Sequence, residues 1–310
     1  MDTDEDRCQL GIKEAIEFLQ RALGYSITGK TTEKCLFLAY GPKDTGKTTL
    51  LRAVTQLLGD YAGQIKVDSL MVERGRPMDN NAKDDLADLR GKRFEMTSET
   101  GEGQRLREDL VKLLSQGQGP YKAVRKYESH FEFPETWKIW LDCNHLPVIK
   151  GTDEAIWERL VVIPFRHVVP LQEQTRDLRQ QLLAEAEGIL AWLVEGLRAW
   201  MKDGLHPLPA SLQRERDEWR QEADDLGQWI EECCVKHSSV KAKSSDLYES
   251  NKAWRANNGL YDDSTPIFAR KMKARGFVKK EFGHDKAMHW LGIGLKTREN
   301  RGYTSKPDKF

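Results

Sequence analysis

The sequence predicts an α/β protein: a parallel-sheet core, then a helical segment, then a small basic domain of helix, helix and hairpin. Three observations carry this expectation. A short apolar run, Cys35 to Tyr40, leads into a glycine-rich loop and an amphipathic helix. From residue 35 to 165, strand-like and helix-like segments alternate, as a parallel α/β core requires. Beyond residue 236 the pattern changes to two capped helices and a pair of strands, and the composition turns basic.

The chain opens with a helical segment, residues 1–30. Ile12, Ala15, Ile16, Leu19 and Leu23 share one helical face, and Gly24 is placed to close the helix. Cys35–Tyr40 lacks polar alternation, which suits a strand buried on both faces. The loop that follows, Gly41, Pro42, Lys43, Asp44, Thr45, Gly46, Lys47, Thr48 and Thr49, fits G-x-x-x-x-G-K-[ST]. Gly41 and Gly46 let successive N–H groups turn toward one anion. Lys47 is positioned to reach the β- and γ-phosphates of ATP, and the Thr48 hydroxyl to ligate Mg²⁺. Leu50, Leu51, Val54, Leu57 and Leu58 then recur at helical spacing up to Gly59.

Further strands are expected near 92–98, 137–143 and 160–165, with helices near 104–115 and 152–158. The strand in "LRGKRFEMTSE" runs toward Glu99, where an NTPase needs an acid to orient its attacking water, or which is an exposed loop acid; alternation puts Glu95 and Glu99 on one face. Asn144, ending "WKIWLDCN", is an amide able to hold the same water, or a turn-forming Asn. Between them Tyr121, Lys122, Arg125, Lys126 and Tyr127 interleave cations with aromatics, a pattern that grips a phosphate backbone or forms an ordinary solvated hairpin.

Residues 171–235 read as a helical subdomain, broken by "GLHPLP" at 204–209. The last part, 236–310, has the element order of a winged helix-turn-helix. Its second helix, opened by Thr265-Pro266, carries Arg270, Lys271, Lys273 and Arg275, and its hairpin carries Lys279, Lys280 and Lys286. Net charge over the whole chain is zero, yet Lys236 to Phe310 holds 17 Lys and Arg against 8 Asp and Glu. That surplus suggests nucleic acid, through Arg270, Lys271 and Lys273, with protein docking as the alternative. The acidic "MDTDEDRC" start has no apolar signal region, and five scattered cysteines without C-x-x-C spacing read as reduced thiols, so a cytoplasmic protein without structural zinc is expected.

Taken in order, "YGPKDTGKTTLL", "LRGKRFEMTSE", "LVKLLSQGQGPYKAVRKY", "TWKIWLDCNHLPVI" and "DEAIWERLVVIPF" resemble the superfamily 3 helicases of phage and plasmid primase–helicases, the group that includes the poxvirus primase–helicase. "AEGILAWLVEG" and "RGFVKKEF…HWLGIGL" resemble their helical segment and terminal winged module. The resemblance implies an AAA+-like P-loop ATPase core over residues 31–170. It implies a ring, usually a hexamer, that hydrolyses ATP with Mg²⁺ between subunits and moves 3′ to 5′ on single-stranded DNA in a bacterial or archaeal host. By matching position, Lys47 and Thr48 serve the phosphates and Mg²⁺, Glu99 serves Mg²⁺ and the water, and Asn144 reads the γ-phosphate. Arg159 is similar to an arginine finger toward the neighbouring subunit, and a surface salt bridge is its plainer reading. Lys112, Lys122, Arg125 and Lys126 are implied at the DNA channel.

This chain departs from the family pattern at Ser115-Gln116-Gly117-Gln118, in the length of the segment that follows, at Ser98 before Glu99 and at Glu158 before Arg159. No primase domain is read, which leaves a separate primase as a partner, with the chain either a fragment or a short helicase of a mobile element. The alternative function is an ATP-assembled initiator or regulator bound to duplex origin DNA; a small-molecule kinase shares the P-loop but not the later strands.

Overall fold

The protein is described here by a computed structural model covering residues 4–72, 86–97, 99–117, 120–123, 131–149, 153–258, 260, 262–282 and 286–296, with side chains from residue 11 onward. It divides into two compact units, one ending at Arg220 and one beginning at Gln221.

In the first unit, five strands form one parallel sheet: β1 (Leu36–Tyr40), β2 (Ala62–Ile65), β3 (Phe94–Thr97), β6 (Lys138–Cys143) and β7 (Leu160–Pro164). A separate antiparallel pair joins β4 (Pro120–Ala123) to β5 (Phe131–Pro134). The parallel order is β2-β3-β6-β1-β7, with Phe37 opposite Trp140 and Val161. Every residue of β3 and β6 and the first four of β1 and β7 are buried, which explains the apolar runs of β1, β6 and β7; β3, Phe-Glu-Met-Thr, has none. Trp140 of β6 stacks on Phe37 at 4.4 Å and on Phe94 at 5.9 Å, and its indole N–H donates to Ser26 Oγ at 3.0 Å. This stack ties β1, β3 and the first helix to the middle strand.

The four strands read from the sequence are present, each shorter at its ends. β2 was not expected, because "AGQI" contains no apolar pattern long enough to read. The first helix runs Asp4–Ser26, through Gly24 and not up to it. Gly24 is a packing residue: a Cβ there would lie 2.1 Å from Leu197 N in the helix Ala186–Asp203. Gly196 returns the contact, its absent Cβ falling 2.0 Å from Gln20 O. Two glycines thus let two helix backbones touch, a use of glycine that sequence spacing confuses with a stop.

The second unit has a three-stranded antiparallel sheet, β8 (Cys234–Lys243), β10 (Ala287–Leu295) and β9 (Val278–Phe282), in the order β8-β10-β9. Helices Ser244–Asn257 and Thr265–Ala274 lie between β8 and β9 in the chain. Leu226, Trp229 and Ile230 of the helix Asp225–Cys233 share a core with Leu247, Phe268, Met272, Trp290 and Ile293. Among the described residues no helix is long and apolar enough to cross a membrane.

β3 does not continue to Glu99, so the shared face expected for Glu95 and Glu99 ends at Thr97: Glu99 is exposed while Glu95 is buried. Gly63 of β2 pairs with Glu95, and a Cβ on Gly63 would meet Glu95 Oε1 at 2.3 Å. Burial raises the Glu95 carboxyl from 4.5 to about 7, Asp88 adding to the rise and Lys92 opposing it. The folded state therefore binds this proton more tightly than the unfolded chain. Its stabilising effect is complete below about 4.5 and is lost as pH rises through about 7. Glu95→Gln is expected to remove about 3 kcal/mol of this pH dependence. Denaturant midpoints of both proteins between pH 5 and 8 check it; parallel curves would show that Glu95 stays ionised.

Candidate nucleotide site

The loop between β1 and the helix Lys47–Leu58 adopts the backbone its glycines permit. Gly46 lies at φ 85° and leads directly into the helix. Gly41 passes so close to β7 that a Cβ would meet Phe165 O at 2.0 Å. Asp44, a non-glycine at φ 61°, accepts from Val169 N at 2.9 Å through its carbonyl, which braces the tip of the loop.

Lys47 is buried in this loop. Its Nζ donates to Gly41 O and Pro42 O, both at 2.7 Å, to Thr45 Oγ1 at 3.3 Å and to Asn144 Oδ1 at 3.1 Å. Asn144 in turn donates from Nδ2 to Glu99 Oε2 at 2.8 Å. The structure thus joins three residues singled out from sequence, 97 positions apart at the widest, into one chain of hydrogen bonds: Lys47, Asn144, Glu99. Lys43 and Asp44 are exposed; Thr45, Thr48 and Thr49 are half-buried.

Sequence reasoning missed Asp142. It sits two residues before Asn144, which lies just past the end of β6, and it is buried. Thr48 Oγ1 donates to Asp142 Oδ2 at 2.5 Å, while Asp142 Oδ1 is buried with no hydrogen-bond partner. Burial raises the Asp142 pKa and the nearby Glu99 adds to this; the Thr48 bond, Lys47 and Arg52 pull the other way. The signal was an acid directly after the apolar Ile139-Trp140-Leu141 of β6, since a buried ionisable residue is rare without a partner or a task. Among the described residues no cluster of three or more His, Cys, Asp or Glu is placed to hold a metal alone. A nucleotide-bound Mg²⁺ needs less: it keeps several waters and takes one or two protein oxygens beside the phosphates. Thr48 and an unsatisfied carboxylate oxygen fit that requirement.

Arg159 follows the short helix Glu154–Trp157 and precedes β7. Its Nη1 donates to Ala155 O at 2.6 Å, and its Nε is buried without a partner. The helix is held firmly: Asp153 caps it through Ala155 N at 3.0 Å and pairs with Lys112, Arg220 grips Glu154, and Trp157 meets Trp219 at 5.1 Å. Lys112 is thus drawn to Asp153. Lys122 is exposed beside Glu132 at 3.1 Å, and Arg125 and Lys126 lie outside the described residues.

In the second unit Arg270 and Lys273 are exposed, but Lys271 turns inward. It pairs with Asp263 at 2.7 Å and Asp225 at 3.4 Å, alongside the buried Arg255, which meets the same two acids at 3.4 and 2.5 Å. Burial works to raise the Asp225 pKa, yet Lys271 and Arg255 outweigh it and the net shift is downward. A position read as a DNA contact therefore lies in an internal ion network. Lys271→Met is expected to destabilise the second unit by about 1–3 kcal/mol, since Asp225 and Asp263 are left sharing Arg255. Arg270→Met should leave stability within about 0.5 kcal/mol. Urea unfolding of the two variants side by side checks this; equal midpoints would place Lys271 outside the network in solution.

No family model matches the chain. A protein named "Putative helicase L207/L206" from Acanthamoeba polyphaga mimivirus is 25% identical over 266 residues, covering 79% of this chain and 27% of the relative. "Putative helicase 022R" of Frog virus 3 is 22% identical, covering 78% of this chain and 26% of the relative. "Primase D5" of Fowlpox virus is 26% identical over 162 residues, 48% of this chain and 19% of the relative. The chain thus spans about a quarter of the length of the two helicase-named relatives. Among solved structures, the C-terminal region of NrS-1 in its apo A form is 16% identical with a TM-score of 0.49, over 89% of this chain and 70% of that one.

Proposed function

We propose that this chain is the motor portion of an ATP-dependent, ring-forming DNA helicase of superfamily 3, moving 3′ to 5′ on single-stranded DNA during replication of a phage, plasmid or other mobile element. The observation that carries the reading is the bonded chain Lys47–Asn144–Glu99, which connects the loop that would cradle the phosphates to the acid that would orient the water. The relatives from large DNA viruses support a primase–helicase-like family at low identity. The five-stranded parallel sheet with the P-loop on β1 supports the AAA+-like core that the resemblance implies.

In this reading Lys47 draws charge off the γ-phosphate, Thr48 holds Mg²⁺, and Asn144 registers whether the γ-phosphate is present. Mg²⁺ would supply charge neutralisation across the phosphates. Glu99, exposed and already fixed by Asn144, is free to accept a proton from water. Arg159, with an unsatisfied Nε and a braced helix behind it, serves as the finger toward a neighbouring subunit. Lys112, Lys122, Arg125 and Lys126 would face the single strand. A second reading, an ATP-assembled initiator on duplex origin DNA, is favoured by Arg270 and Lys273, exposed on the second helix of a winged-helix-like unit.

Steady-state ATP hydrolysis with and without single-stranded DNA tests the proposal. We expect a stimulation of tenfold or more by the single strand, and loss of at least 99% of the rate in Lys47→Ala. Hydrolysis indifferent to DNA would turn the reading to the initiator, and an unaffected Lys47→Ala would end the P-loop assignment. Mixing Arg159→Ala with wild-type protein is expected to depress activity more steeply than the fraction of variant. A strictly proportional decline would exclude a finger acting between subunits.

A further inference from the structure

The acid that completes a P-loop cation site usually stands at the end of a strand beside the loop, next to the Ser or Thr ligand. Here β3 ends at Thr97, and Ser98 precedes Glu99, whose carboxylate is exposed and bonded to Asn144 Nδ2 at 2.8 Å. The acid that meets Thr48 comes from a different strand. Asp142 of β6 receives the Thr48 hydroxyl at 2.5 Å, and β6 is the direct neighbour of β1, which delivers the loop. β3 contributes a lesser contact, Thr97 Oγ1 lying 3.4 Å from Asp142 N.

Asp142 has one spent oxygen and one idle one. Oδ2 accepts from Thr48, while Oδ1 is buried without a donor. The residue is 1% exposed, and three surrounding residues of β6 (Trp140, Leu141 and Cys143) are buried with it. A carboxylate oxygen placed in such surroundings without a partner costs more than an apolar side chain would, so a merely structural role leaves the choice of Asp unexplained. A hydrated divalent cation at Thr48 supplies what the protein does not: positive charge and water donors next to Oδ1.

We propose that Asp142 is the carboxylate of the Mg²⁺ site, acting with Thr48 on the metal of the bound nucleotide, and that Glu99 is thereby left to the attacking water. The inference rests on the ATPase reading above and assigns one of its residues. It divides two tasks, metal binding and water activation, between two acids that are 43 positions apart on adjacent strands' ends rather than neighbours at the end of one.

The test is binding of a fluorescent ATP analogue to wild type, Asp142→Asn and Asp142→Ser, titrated in EDTA and in increasing Mg²⁺. Asn keeps an oxygen able to accept from Thr48, and the shorter Ser serves if Asn fails to fold. In EDTA all three proteins are expected to bind alike. In Mg²⁺ wild type should tighten, and the variants should need at least tenfold more metal to reach the same affinity. Mn²⁺ in place of Mg²⁺, followed by loss of the free-ion paramagnetic signal, gives a readout independent of turnover: the variants should leave Mn²⁺ free at concentrations where wild type with nucleotide binds it. Metal dependence equal to wild type in both variants would overturn the assignment while leaving nucleotide binding intact. Absence of analogue binding by wild type, with metal or without, would overturn the ATPase reading and this inference with it.

Discussion

The middle position of β6 is the constraint on which the first unit depends. It is hydrogen-bonded on one side to β3 and on the other to β1, so it cannot shift without opening the sheet at its centre. Trp140 anchors it from within, stacked between Phe37 and Phe94 and bonded to Ser26. A fully buried aromatic of this size contributes about 2–3 kcal/mol by area alone. The same strand then presents Asp142 to Thr48, and Asn144, just past its end, accepts from Lys47. Packing below the sheet fixes the polar geometry at its edge, so site and core are one object.

The opposite end of β6 is held with equal care. Lys138, buried, donates to the carbonyls of Thr28, Lys30 and Thr136, capping the chain that links the first helix to β1. Burial, the largest influence, pulls its ammonium down to about 7, with Arg93 adding and Cys35 and Glu135 opposing. Three carbonyl acceptors hold the ammonium in place without cancelling that desolvation. β6 therefore carries an ionisable group at its start, held by three carbonyls, and an acid near its end, held at one oxygen by Thr48.

What was legible beforehand follows from locality. The strand-loop-helix around Lys47 is a contiguous signal, and β1, β6 and β7 each announce themselves by an apolar run, whereas β3 alternates. Asn144 and Glu99 were found because strand ends are where such acids and amides are needed. Asp142 was not, because its meaning lies in a contact with Thr48 across 94 positions that no periodicity records. β2 was missed for a related reason: Gly63 weakens the strand pattern, yet its lack of a side chain is what admits Glu95. Gly24 and Gly196 were opaque too, since a glycine that lets helices touch and a glycine that ends one look alike in a single sequence.

The charge of the C-terminal quarter shows the same limit from another side. Its surplus of cations suggested a surface for nucleic acid, but a count does not say which cations face outward. Arg255 and Lys271 are committed to Asp225 and Asp263, and Arg275 pairs with Asp224, which lies ahead of residue 236 and so escaped the count. Phe268 and Met272, four apart, take the buried face of the helix Thr265–Ala274, and Lys271 lies beside them. Arg270 and Lys273 are left on its exposed side, with Lys280 exposed on β9. A count of cations therefore overstates the positive surface this unit presents.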